Sequence, residues 1–148
     1  MLIRPATADD VTTIAEVYLT SRDAAPMPPG IHPFDDVCEH TARVLPDRDA
    51  WLALDGDRAV AVMLLEGNSV NWLFVLPDAQ GRGIGTALLD LAKQRQPGGL
   101  ALWVFEMNTP AQRFYERHGF VEVRRTDGDN EEGAPDIRYT WGNHPEAP

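Results

Sequence analysis

Halfway along the chain an apolar stretch runs straight into a glycine-rich turn, Leu73-Phe74-Val75-Leu76-Pro77-Asp78-Ala79-Gln80-Gly81-Arg82-Gly83-Ile84-Gly85-Thr86. The order is strand, sharp turn, helix start. It constrains the fold because it carries the chain from a sheet to a helix N-terminus. There, N–H groups without intrahelical partners and a partial positive charge collect anions. Glycines let the backbone turn sharply and approach a ligand closely. The turn therefore reads as a phosphate cradle, and its surroundings decide which phosphate.

Upstream, the pattern is helices and then hairpins. Met1–Arg4 reads as a short strand. Thr7 is expected to cap a helix whose apolar stripe is Val11, Ile14, Ala15 and Tyr18. Pro26-Met27-Pro28-Pro29-Gly30 forces a loop. A second helix is predicted from near Pro33, with Phe34, Val37, Cys38 and Thr41 on one face. Asp55-Gly56 joins strands Trp51–Leu54 and Ala59–Leu65 as a hairpin, and Gly67-Asn68 leads into Val70–Val75. Downstream of the turn, Ile84, Leu88, Leu91 and Ala92 mark the inner face of a helix that ends at Pro97-Gly98-Gly99. Leu100–Phe105 is the next strand. Thr109-Pro110-Ala111-Gln112 is a helix start with threonine as the expected cap, and Gly119 stops that helix. Phe120–Arg125 and Ile137–Trp141 are strands flanking Thr126–Asp136, a loop with five acids and no base. Hairpins early and helical connections late predict an α/β fold. Its central sheet is mixed and mostly antiparallel, with about six to seven strands flanked by about four helices. One domain is expected over residues 1–148, with 143–148 as a tail.

The formal net charge is −10, which argues against nucleic acid and anionic membranes as partners and favours a neutral or cationic substrate. No apolar run approaches the ~20 residues of a membrane span, and no leader is visible, so a cytoplasmic location is expected. Cys38 is the single cysteine, which leaves no internal disulfide and no cysteine-built metal site. No metal is expected.

Three phosphate ligands compete for the turn. A nucleotide clamp needs Gly-Lys-Ser or Gly-Lys-Thr after the first glycine and its spacer, and no lysine follows here. A nicotinamide dinucleotide turn needs Gly-x-Gly-x-x-Gly. Gly81 and Gly83 meet its first two positions, but Thr86 occupies the third. Glu106 does lie about 20 residues further on, where a ribose-binding acid would sit. However, only one helical crossover follows the turn, which leaves no room for a doubly wound sheet. The third pattern, Gln-x-x-Gly-x-Gly, is met by Gln80, Gly83 and Gly85.

The run Val75-x-Pro77-x-x-Gln80-Gly81-x-Gly83-Ile84-Gly85, with Ala87-Leu88-Leu89 after it, resembles the acetyl-CoA-binding motif of the GNAT N-acetyltransferases. A second signature follows in order: Leu102-x-Val104, Asn108, then Phe114-Tyr115-Glu116-Arg117-x-Gly119-Phe120. It is similar to the strand, asparagine and helix that close the cofactor site in that family. The resemblance implies the GNAT fold and transfer of an acetyl group from acetyl-CoA to a primary amine, on a small molecule or a protein, by direct attack. It also allows a homodimer.

On this resemblance, Gln80, Gly81, Arg82, Gly83, Ile84, Gly85 and Thr86 hold the cofactor pyrophosphate, mainly through backbone N–H groups. The cofactor's peptide-like arm pairs with the strand edge at Leu73, Phe74 and Val75, next to Asn108. A backbone N–H near Phe74 or Val75 polarises the thioester carbonyl. Tyr115, a phenol protonated at neutral pH with an ordinary pKa near ~10, is the expected general acid. Some family members carry a glutamate early on the strand before the turn. Here that region is Ser69-Val70-Asn71-Trp72, without a carboxylate. Glu106 is taken as the general base, with Glu66 and His32 as other candidates. Arg22–Glu39 and Thr126–Arg138 are expected to wall the acceptor site, and Trp72 and Trp103 to pack. Two alternatives stay open: a catalytically silent acyl-CoA-binding domain that acts through a partner, and a nicotinamide dinucleotide-binding protein.

Overall fold

The computed structural model describes residues 1–148. In chain order the elements are β1 (Leu2–Pro5), α1 (Val11–Ala24), α2 (Phe34–Val44), β2 (Asp49–Asp55), β3 (Arg58–Glu66) and β4 (Ser69–Val75). Then come α3 (Ile84–Arg95), β5 (Leu100–Phe105), α4 (Thr109–Arg117), β6 (Val121–Thr126) and β7 (Asp136–Trp141). All seven strands form one sheet in the order β1-β2-β3-β4-β5-β7-β6. Only β4 and β5 pair in parallel, so the doubly wound parallel sheet that a dinucleotide fold needs is not formed. No helix is long and apolar enough to cross a membrane.

The middle of the sheet is covered on both faces. Every residue from Val60 to Leu65 of β3 is buried, a continuous run that needs apolar cover above and below. On one face α1 supplies Ile14 and Val17, and its Tyr18 ring stacks on Trp72 of β4 at 4.1 Å. On the other, α3 supplies Ile84, Leu88, Leu89 and Ala92. Leu91, expected inward, is only partly buried, and Leu89 takes its place in the core.

Local details differ from the sequence reading. Thr7 does not cap α1 with its hydroxyl. A 3-10 turn, Ala8–Asp10, intervenes, and the Asp10 carboxylate accepts the Thr7 N–H at 2.8 Å and pairs with Arg4 at 2.9 Å. The Arg4 hydrogen bonds, helped by the Thr7 N–H and opposed by burial, hold Asp10 down to a pKa of about 2. Phe34 begins α2 but is 39% exposed, because the buried face of that helix is Val37 and Thr41. Residues 143–148 are not a free tail. His144 is buried, and Glu146 accepts hydrogen bonds from Arg138 at 2.7 Å and Arg124 at 3.0 Å. Gly99, at φ +135°, makes room for this return: a Cβ there would meet the His144 nitrogen at 2.3 Å.

Candidate functional site

The site begins with a defect in β4. Leu64 pairs with Trp72 but Leu65 pairs with Val70, so Asn71 is an extra residue, a bulge that bends its strand. Before the bulge, β4 meets β5 at Ser69↔Ala101. After it the two strands part. The Leu76 N–H donates to the Val60 carbonyl at 2.9 Å. By antiparallel alternation, Phe74 and Trp72 also face β3, while Leu73 and Val75 turn their N–H and C=O groups into the gap. A strand edge is thus open in mid-sheet. The carbonyl of Val75 accepts the Gln80 side-chain amide at 3.1 Å, tying the glycine turn to this edge. Of the two N–H groups expected to polarise a carbonyl, the geometry selects Val75, since Phe74 points the other way.

The turn folds as its glycines require. Gly81 and Gly83 sit at φ +76° and +81°, where a side chain would be strained. Gly85 has an ordinary helical backbone and is needed for space: a Cβ there would lie 3.3 Å from the Phe114 ring. Helix α3 starts at Gly83 with no side-chain cap and no acid in its first turn. Its first N–H groups therefore remain available to an anion. A cavity of about 540 Å³ opens over them. Ten of the eleven residues expected to bind cofactor line it. The exception is Arg82, whose guanidinium is held by Asp55 at 2.9 Å on the β2–β3 hairpin.

Helix α4 closes this cavity. Its cap is Asn108 rather than Thr109: the Asn108 side-chain oxygen accepts the Ala111 N–H at 3.3 Å. The side-chain amide is left to face the cavity, so the residue both caps the helix and lines the site. Gln112 turns back and donates to the Phe105 and Glu106 carbonyls at 3.3 and 2.6 Å, fixing the helix to the end of β5. Tyr115 is 8% exposed, packed edge-on against Phe114 and Phe120. Burial pushes its phenol well above the ordinary range, so it carries its proton at every physiological pH.

A second cavity, of about 190 Å³, fills the gap between β4 and β5 on the α1 side. The two cavities share Met27, Leu73, Phe74, Asn108, Ala111 and Tyr115. They meet at the open strand edge and the Tyr115 ring. Trp72 and Trp103 both line the smaller one. Trp72 packs on Tyr18 as expected, but Trp103 is 42% exposed between the guanidiniums of Arg124 and Arg138.

No carboxylate lines either cavity. Each expected base faces a charged partner outside them. Glu106 lies at the end of β5, 3.8 Å from Arg125. Glu66 holds Arg48 at 3.2 Å, and His32 meets Glu131 at 3.1 Å. The last contact joins the α1–α2 loop to the acidic β6–β7 loop, but no residue of Thr126–Arg138 lines either cavity, whereas Arg22 and Met27 of the other expected wall do. Two charged residues of the site stand out, Arg117 with no role expected from the sequence and Arg22 expected only as the first residue of a wall. Arg117, in the last turn of α4, is the only charged side chain lining the larger cavity. Arg22, in the last turn of α1, lines the smaller. Both occupy helix ends, where a cation reads as an ordinary complement to the helix dipole.

Comparison with known proteins adds three kinds of likeness. Residues 46–122 match the model of the acetyltransferase (GNAT) domain. Peptidyl-lysine N-acetyltransferase YjaB of Salmonella typhimurium is 40% identical over 87 residues, 58% of this chain and 59% of that protein. Peptidyl-lysine N-acetyltransferase YiaC of Escherichia coli is 34% identical over 127 residues, 80% of this chain and 82% of that one. Among solved structures, the PaiA N-acetyltransferase of Thermoplasma acidophilum in complex with coenzyme A superposes with a TM-score of 0.75. It is 20% identical, and the match covers 95% of this chain and 98% of that one. It shares the fold.

Proposed function

The chain belongs to the GNAT acetyltransferase family, and from that premise we propose that it transfers an acetyl group from acetyl-CoA to the primary amine of a lysine side chain in a peptide or protein. One observation carries the reading. A cradle-lined cavity and an acceptor-sized cavity meet at an open strand edge beside a buried phenol. The acceptor class follows the names of two relatives.

Acetyl-CoA, when bound, supplies the thioester whose acyl group moves. The chain's own groups do the rest. Backbone N–H groups of Gln80–Thr86 hold the pyrophosphate, and Arg117 adds positive charge at the same cavity. The edge at Leu73 and Val75 pairs with the peptide-like arm as an added strand would. The Val75 N–H donates to the carbonyl oxygen as negative charge grows there. The amine nitrogen forms a bond to the acyl carbon, the carbon–sulfur bond breaks, and the proton lost by nitrogen ends on sulfur. Tyr115 donates a hydrogen bond to the departing sulfur. A phenol raised above ~10 is a weaker acid than a thiol near ~8.5. Its role is therefore to stabilise the leaving sulfur while the proton arrives, rather than to surrender its own proton outright.

The amine must arrive neutral. At pH 7 only about 1 in 2,500 of an amine with pKa ~10.4 is unprotonated. With no carboxylate in either cavity, solvent takes that proton at the open mouth of the smaller cavity. Thiol release from acetyl-CoA in the presence of lysine peptides, with mass analysis of the product, tests the proposal. Acetyl-lysine and free thiol in equal amounts are expected. Tight acetyl-CoA binding without turnover on any amine would instead favour a silent binding domain.

A further inference from the structure

The acceptor cavity contains one charge without a partner. Two arginines of the chain are buried, Arg138 at 9% and Arg22 at 8% exposure. Arg138 is neutralised by Glu146 at 2.7 Å. Arg22 has no carboxylate within 4.0 Å, whereas eight other arginines do. Its protein partners are neutral: the Pro28 carbonyl, at a long 3.3 Å, and the Tyr18 hydroxyl. The guanidinium lies 5.8 Å from the centre of the Phe105 ring, one helical turn from Tyr18, and both side chains line the cavity.

A guanidinium has five N–H donors in a planar fork that matches a carboxylate. Burying it without a counter-charge carries a large desolvation penalty. A chain with 23 acids and a net charge of −10 had ample means to neutralise it and places none beside it. Glu131 and Glu132 of the acidic loop lie close enough to be felt at Tyr18. Neither lines the cavity, and Glu131 is engaged to His32. The cavity thus has a cationic interior wall, with acids of the β6–β7 loop beyond its lining, an arrangement that suits a ligand carrying both an amine and an anion.

We infer that Arg22 is an anion subsite of the acceptor cavity, and that the preferred acceptor presents a carboxylate beside its amine. This rests on the acetyltransferase reading above and narrows its substrate. Two sources supply such a carboxylate: the α-carboxylate of a free amino acid, or an acidic side chain next to a target lysine. The test uses matched acceptors with a single primary amine. One pair is Nα-acetyl-lysine and its methyl amide. The other is a blocked peptide containing Lys-Asp and its Lys-Asn counterpart.

For the wild type, KM is expected to be roughly tenfold or more lower for the carboxylate member of at least one pair, and the pair that discriminates identifies the source. In Arg22→Met, which keeps the stem and removes the charge, the ratio falls to near one. Arg22→Lys keeps part of it. Acetyl-CoA titrated calorimetrically into the same samples binds all three alike. Wild-type enzyme blind to the carboxylate in both pairs, or Arg22→Met retaining the preference, would overturn the subsite. Loss of acetyl-CoA binding by the wild type would instead strike the donor reading. Should Arg22→Met fail to fold, the wild-type ratios and Arg22→Lys still decide.

Discussion

The two cavities, donor and acceptor in the proposed reading, share a wall but are built from different material. The donor side is mainly backbone: the N–H groups of one turn, the open edge of one strand, and glycines that keep side chains out. The acceptor side is mainly side chains, with Tyr18, Arg22, Trp72, Trp103 and Phe105 converging from α1, β4 and β5. The difference teaches how each half breaks. Adding atoms should damage the donor half, and removing them the acceptor half.

The boundary between the halves should give the largest effect. Tyr115→Phe removes the hydroxyl of a residue that lines both cavities and leaves the ring packed against Phe114 and Phe120. Turnover is expected to fall about a hundredfold, the scale of losing one transition-state donor. KM for both substrates and the thermal midpoint should hardly move. Steady-state kinetics alongside thermal melting would check this, and unchanged kcat would remove Tyr115 from the chemistry.

Next comes the donor half itself. Gly85→Val puts branched carbon where a single Cβ already lies 3.3 Å from the Phe114 ring. Overpacking of about 1–3 kcal/mol, where binding has to undo it, translates into roughly five- to 150-fold weaker acetyl-CoA binding. Gln80→Ala, by contrast, deletes a side-chain hydrogen bond to the Val75 carbonyl and should weaken binding only about fivefold. Calorimetry on both variants sharpens the comparison. If the deletion hurt more than the addition, the cradle would not be a backbone device.

Asn108 straddles the two roles, so two substitutions separate them. Asn108→Ala removes the α4 cap, about 1 kcal/mol of stability, and also the amide facing the cavities. Asn108→Asp keeps an oxygen for the Ala111 N–H and loses only the amide donor. If the amide binds the cofactor arm, both variants raise the acetyl-CoA KM a few-fold while only the alanine variant melts lower. Normal KM in Asn108→Asp would leave the residue a cap and nothing more.

The same contrast governs what was legible in the sequence. The donor half lies in consecutive residues, so spacing alone located the turn, its strand and its helix. Tyr115 and Asn108 sit in a second short motif, and their expected roles come from its resemblance to the family; the cap itself is Asn108 rather than Thr109, because threonine and asparagine both serve there. The acceptor half is assembled across the fold. Nothing near Arg22 in the chain announces that it will be buried without a counter-ion, because that depends on the Pro-rich loop folding over it. The C-terminal residues give no local sign of their docking for a related reason: Glu146 is held by Arg124 and Arg138, on β6 and β7, and Gly99 clears the space. Glu106 was picked for its place at a strand end, but the strand delivers it to Arg125 rather than to either cavity.

That displacement yields the smallest expected effect. If no side chain of the acceptor half takes the amine proton, Glu106→Gln should change kcat/KM by less than about threefold, the scale of altering an exposed ion pair. The wild-type profile is the sharper measurement. A reaction drawing on the neutral fraction of a lysine-like amine gains tenfold in kcat/KM per pH unit until the pH nears the amine pKa of ~10.4. Tyr115 stays protonated across that range because burial raises it, so it adds no falling limb before the amine itself levels off. Acceptors of lower pKa should shift the plateau down by the difference in their own pKa values. A plateau fixed near pH 6–7 for every acceptor would reveal an enzyme base after all. If Glu106→Gln then abolished it, the acceptor half would reach further along β5 than its cavity does.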